Sequence, residues 1–175
     1  MVRMTANSDT AAYAAARANV TLTVATLFDL PEVLAVQRAG FMRVAQTAGI
    51  DPAQMAPLRE TLEDLAALYT AGVTTFVAWS DDAAAGTVRA TRRDDGAIEI
   101  GRLAVADGFL RRGIATALMR TLEESFPEAR RFELFTGAEA AAPLALYARL
   151  GYHIFAHEDH GSWQMVWLAK DGPAV

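Results

Sequence analysis

The stretch from Gly101 to Arg120, GRLAVADGFLRRGIATALMR, joins an apolar segment to a helical pattern through a turn of arginine and glycine. A helix N-terminus leaves several backbone N–H groups without an intrahelical acceptor and carries a partial positive charge. Gly113 and the small Ala115 let a ligand approach that backbone, and Arg111 and Arg112 add charge. Strand, small-residue turn and helix in this order therefore make an anion site in principle. Taken alone, RRGIA reads first as a basic turn with nothing bound. It is too short, and lacks the lysine, for a nucleoside-triphosphate loop. It also lacks the glycine spacing of a dinucleotide fingerprint.

The histidines raise a second chemistry, metal binding. His153 and His157 stand four apart on a predicted strand, which separates them by about 13 Å, too far to share one ion. His157 and Asp159 fall on one face, but two ligands are too few. The chain has no cysteine, which excludes disulfides, thiolate metal sites and a cysteine nucleophile. No metal is expected.

A length of 175 residues points to one domain, long enough to bury a core. Hydrophobic residues make up 53% and charged residues 21%, which argues against disorder. The net charge of −5 argues against a nucleic-acid surface, with only local basic clusters at 111–112 and 130–131. There is no apolar run near the length of a membrane span, and no basic-then-apolar leader pattern. A soluble cytoplasmic protein is the expectation.

The elements that position these residues follow from periodicity and breakers. Residues 1–19 read as a flexible or short helical extension, with Ser8 or Asp9 as a cap, and 171–175 as a tail. Strands are predicted at 20–26, 74–79, 85–91, 97–105 and 130–136, with a closing hairpin of 152–159 and 162–169 around Gly161. A helix capped by Asp29, with Pro31 in its first turn, places Leu30, Val33, Leu34, Phe41 and Val44 on one face. A second runs from Pro57 to Gly72 with Leu58, Leu62, Leu65 and Tyr69 as its stripe. Residues 112–126 and 143–150 are further helices. In the strand 97–105, Ile98 and Ile100 have the opposite parity to Leu103 and Val105. Either both faces are covered or a bulge near Gly101–Arg102 resets the register, and both are expected. Trp163 and Trp167 are expected in the core.

Several segments together resemble the GNAT acyltransferase superfamily. Its coenzyme-A motif, Q/R-x-x-G-x-G/A after a strand ending L-x-V, is similar to Leu110-Arg111-Arg112-Gly113-Ile114-Ala115 after Leu103-Ala104-Val105. Glu99 stands six residues before Val105, like the family's frequent strand glutamate, and LYARLGY (146–152) resembles its L-Y-x-x-x-G-F/Y segment. Two positions depart: Leu110 replaces the usual Gln or Arg, and Pro143 stands where many members have Asn. Backbone donors from Arg111 to Thr116 do not depend on the Leu110 side chain.

The resemblance implies one α/β domain over residues 20–170, a mixed, mainly antiparallel seven-stranded sheet with a bulged central strand and flanking helices. It implies acetyl transfer from acetyl-CoA to a primary amine, here of a small molecule. The coenzyme would lie on Leu103, Ala104, Val105, Arg111, Arg112, Gly113, Ile114, Ala115 and Thr116. Glu99 would be the base, through water, and Tyr147 the acid, since a phenol with a reference pKa near 10 can protonate a thiolate. A backbone N–H near Val105 would polarise the carbonyl. Phe41, Met42 and residues 49–57 would wall the acceptor. The blander alternatives pair Glu99 with Arg102 or Arg89 and pack Tyr147 in the core. Rival functions keep the fold: a weak or inactive acyl-CoA-binding module, or an acyltransferase with another donor or a hydroxyl acceptor. The exposed last hairpin is compatible with a homodimer.

Overall fold

A computed structural model describes residues 6–161 and 163–173. Its strands are β1 (Thr21–Val24), β2 (Thr74–Ser80), β3 (Ala83–Arg92), β4 (Ala97–Val105), β5 (Arg131–Gly137), β6 (His153–Asp159) and β7 (Gln164–Asp171). Its helices are α1 (Ala6–Ala18), α2 (Leu30–Ala48), α3 (Ala56–Arg59), α4 (Leu62–Thr70), α5 (Ile114–Glu124) and α6 (Ala141–Arg149). The strands form one sheet in the order β1-β2-β3-β4-β5-β7-β6. β4 and β5 pair in parallel from Ala97↔Arg131 to Glu99↔Glu133, which a hairpin cannot connect and the α5 crossover does. The pairs β1–β2, β2–β3, β5–β7 and β6–β7 are antiparallel. The mixed, mainly antiparallel seven-stranded sheet expected from the sequence is the one observed.

Packing divides the chain into two compact units, residues 1–90 with 102–125, and residues 91–101 with 126–175. In the first, Ala85 to Ala90 are buried without a break, which requires cover on both faces of β3. Leu30, Val33 and Leu34 of α2 pack with Leu65 of α4 and Val77 of β2. α5 buries Ile114, Leu118 and Leu122, the stripe read from the sequence. Two glycines set the closeness of this packing. A Cβ on Gly86 would lie 2.9 Å from Ile114 Cγ2 and 3.1 Å from the Ala104 carbonyl oxygen. One on Gly40 of α2 would lie 2.9 Å from the Ala104 Cβ. Helix and strand meet there because no side chain intervenes.

In the second unit, β5 and β7 carry the buried Phe132, Leu134, Val166 and Leu168, and Tyr147 and Leu150 are buried as well. β6 is an edge strand whose Ile154 and Phe155 stay exposed, with a register shift between Ile154 and Ala156. At Arg102 the β4 backbone turns left-handed, φ 57°, an irregularity at the place where the parity of Ile100 and Leu103 suggested a bulge.

Several local expectations need correction. The N-terminal helix begins before Ser8 and Asp9, not after them. Residues 1–5, Ser162, and 174–175 of the expected tail lie outside the described residues. Asp29 closes back on the Thr26 N–H at 2.7 Å and makes no hydrogen bond to α2. The single helix expected from Pro57 to Gly72 breaks at Glu60–Thr61, because Thr61 and Asp64 form a reciprocal cap that starts α4. Val44, Leu62 and Tyr69 are exposed, and so is Trp163, whose ring stacks on His160 at 4.3 Å.

Candidate active site

The turn after β4 is built by short local bonds. The Ala106 N–H donates to the Ala85 carbonyl at 2.9 Å, and the Phe109 N–H to Ala106 at 2.9 Å. Arg111 and Gly113 then take left-handed conformations, φ 59° and 85°, and Gly113 becomes the N-cap of α5. Among the described residues, the backbone N–H groups from Arg111 to Thr116 have no backbone acceptor. These open donors face a helix N-terminus that favours negative charge. Nothing lies within 4 Å of where a Gly113 Cβ would be, so its glycine answers to its backbone angle and not to packing. Arg111 and Arg112 are exposed, and the Arg112 guanidinium sits 5.2 Å over the Phe109 ring. Leu110 is exposed with an extended backbone.

Upstream, Leu103 and Val105 are half-buried and Ala104 is buried against Gly40. Arg43 of α2 donates to the Val105 carbonyl at 3.1 Å and pairs with Asp107. One side chain thus ties the strand end to the turn that follows. The sequence reading passed over it.

It also passed over a cluster centred on Glu60, at the α3–α4 break. Arg89 donates to both Glu60 oxygens, at 3.2 and 3.1 Å, and to Gln37 Oε1 at 3.2 Å. Arg102 donates to Glu60 Oε1 through Nε at 3.1 Å and Nη2 at 2.7 Å. Gln37, fully buried on α2, donates to Glu60 Oε2 at 2.7 Å and to the Pro57 carbonyl at 2.9 Å. Burial alone would raise the Glu60 carboxyl above its ordinary value. The hydrogen bonds from Arg102, Arg89 and Gln37 outweigh it and hold the group at about 2. The two arginines considered as partners of Glu99 are therefore the partners of Glu60. The left-handed backbone of Arg102 costs about 1–2 kcal/mol for a non-glycine residue, and its guanidinium is the one that clasps Glu60.

The remaining candidates lie in the second unit. Glu99 is half-buried on β4 and in register with Glu133 of β5. Glu133 is paired with Arg93 at 2.8 Å and Arg131 at 3.0 Å. Tyr147 is buried on α6, its ring edge-on to Tyr152 at 6.0 Å. Burial pushes its phenol up to about 12. It stays protonated at neutral pH but is a weaker acid than the reference value suggests. Among the described residues, no group of three or more His, Asp or Glu side chains is arranged to hold a metal ion. No described helix is long and apolar enough to cross a membrane.

On a mixed seven-stranded sheet, a strand runs into a turn of open backbone donors at a helix N-terminus, an arrangement suited to an anion. The model of the acetyltransferase (GNAT) family matches residues 39–152, and the chain belongs to that family. By class it is an acetyltransferase. Among solved structures it is similar to PaiA N-acetyltransferase from Thermoplasma acidophilum in complex with coenzyme A. That match has 14% identity and a TM-score of 0.74, covering 87% of this chain and 98% of that one. It is also similar to a phosphinothricin acetyltransferase from Sinorhizobium meliloti in complex with AcCoA, with 18% identity, TM-score 0.71, and 90% and 92% covered. The ribosomal-protein-S18-alanine N-acetyltransferase from Escherichia coli follows with 16% identity, TM-score 0.69, and 87% and 93% covered. No curated protein sequence matches the chain significantly.

Proposed function

We propose that this chain transfers an acetyl group from acetyl-CoA to a primary amine of a small molecule. The observation that carries the reading is the row of open backbone donors from Arg111 to Thr116, which fits the pyrophosphate of the coenzyme. Leu103, Ala104 and Val105 would hold its arm by strand-like backbone bonds, and bound acetyl-CoA supplies the activated acyl group. Glu99 takes the proton of the acceptor amine, through water, and the Tyr147 hydroxyl returns one to the departing thiolate. The open edge of β6 supports a homodimer built on that strand.

The test is the melting temperature with and without saturating acetyl-CoA. At a hundred times its dissociation constant a ligand stabilises by about 2.7 kcal/mol, so a clear rise is expected. No rise at millimolar coenzyme would remove the turn as its site. The burial of Tyr147 favours a second reading, a coenzyme-binding module without turnover. Tyr147→Phe separates the two. If Tyr147 is the acid, the variant keeps its affinity for acetyl-CoA and loses at least tenfold in kcat, measured by thiol release across an amine panel. Equal turnover by both proteins takes Tyr147 out of the mechanism. Binding without turnover in the wild type establishes the module.

A further inference from the structure

The Glu60 cluster is more positive than it needs to be. Two guanidiniums, Arg89 and Arg102, converge on one carboxylate, and a third, Arg38, donates to the Glu60 backbone carbonyl at 2.8 Å. Asp64, four residues further on, is exposed and engaged by Thr61. The side chains of Arg89 and Glu60 are 9% and 15% exposed, and that of Arg102 is 21% exposed. Gln37 has its carbonyl and amide engaged inside the cluster. Arg102 uses Nε and Nη2 on a single Glu60 oxygen, and its Nη1 has no partner among the described residues. Of the two guanidiniums that clasp the Glu60 carboxylate, Arg102 is the one that water reaches more, and its unpartnered Nη1 is an outlet for the excess charge. The left-handed backbone at Arg102 is a second, independent mark, since strain of this kind gathers at sites where a side chain must be aimed.

The position of that outlet gives it a use. In the reading above, on which this inference rests, the coenzyme arm runs back along β4 from the turn through Val105 and Leu103. The next residue is Arg102, so the acyl end of the arm and the amine that attacks it approach this guanidinium. We propose that the acceptor carries a carboxylate, and that Arg102, held on Glu60, binds it. A guanidinium with a free edge is suited to a planar carboxylate. Glu60 and Gln37 act as positioning residues that fix the guanidinium plane.

The test uses amines matched but for a carboxylate, L-phenylalanine with 2-phenylethylamine and 5-aminopentanoate with pentylamine. Wild type is expected to favour the acid of at least one pair by tenfold or more in kcat/KM, mainly through KM. In Arg102→Gln the preference falls to within twofold, while acetyl-CoA affinity stays within twofold of wild type. Arg102→Lys keeps the charge and restores part of the preference, which separates loss of recognition from loss of fold. Equal use of both members of each pair, or a preference that survives Arg102→Gln, overturns the proposal. If no amine turns over, the same pairs are titrated calorimetrically against the acetyl-CoA-saturated protein, and absence of selective acid binding overturns it equally. Failure of acetyl-CoA to bind is seen before any amine is added and defeats the broader reading instead. The acids are then titrated against the protein alone, and the same Arg102-dependent selectivity is required.

Discussion

Gly113→Glu is expected to abolish the stabilisation of the protein by acetyl-CoA while leaving the fold in place. The residue sits at φ 85° with nothing within 4 Å of its missing Cβ. An added Cβ therefore meets no neighbouring atom, and the penalty expected in the free chain is about 1–2 kcal/mol of backbone strain. For a coenzyme the change is much larger. A carboxylate would stand among the open N–H groups of Arg111 to Thr116, cap them itself, and repel a pyrophosphate at close range. The expected result is a loss of affinity of at least a hundredfold by calorimetry, with the melting temperature of the free variant a few degrees lower. Gly113→Ala carries the same strain without the charge and should keep most of the binding. Undiminished binding by Gly113→Glu would show that the phosphates lie elsewhere.

The second large effect is on stability. Glu60→Gln leaves Arg89 and Arg102 facing each other without the carboxylate that neutralises them. Removing one partner of a buried ion pair costs about 3–5 kcal/mol. Water reaches Arg102, so the lower end applies, and urea unfolding should show a loss of about 3 kcal/mol. The pH dependence carries a signature. The folded carboxyl titrates at about 2 against an ordinary 4.5, so folding favours its ionised form. That contribution is complete above pH 4.5 and is lost as pH falls from 4.5 toward 2. Glu60→Gln has no such group. The stability gap between wild type and variant should therefore narrow on acidification through this window. A constant gap would mean that Glu60 contributes by shape and not by charge.

The sheet and most helix limits were legible because periodicity and breakers agreed. Gly72, Gly96, Gly151 and Gly161 all sit at positive φ, where only their local turns were needed to place them. The parity conflict in AIEIGRLAV located the irregular backbone within a residue or two. The turn of open main-chain donors was legible because its position follows from strand, turn and helix alone. The Glu60 cluster was not. It joins Gln37, Arg89 and Arg102 from three elements with Glu60 from the α3–α4 break, and no local pattern brings them together. One signal was available, the polar Gln37 one helical turn after Val33 on an apolar face, with a glycine at 40. A hydrophobic stripe would place Val44 inside. In the structure the face turns instead through Gly40 to Ala45, because the glycine lets α2 close on Ala104. The Thr61–Asp64 cap, which frees Glu60 from a continuous helix, was also present as a sequence pattern and was overlooked.

The two glycine contacts on either side of this region bear on the thermodynamics of recognition. With Gly40 against Ala104 and Gly86 against both Ile114 and the Ala104 carbonyl, strand and helices touch at van der Waals distance, leaving little room for β4 and the first turn of α5 to shift. The donors are then already in place before anything arrives. Ordering entropy, which an adaptable loop surrenders at the moment of association, has here been given up during folding. A surface of this kind discriminates by shape, since it cannot remodel itself around a ligand with different spacing between its anionic head and its arm.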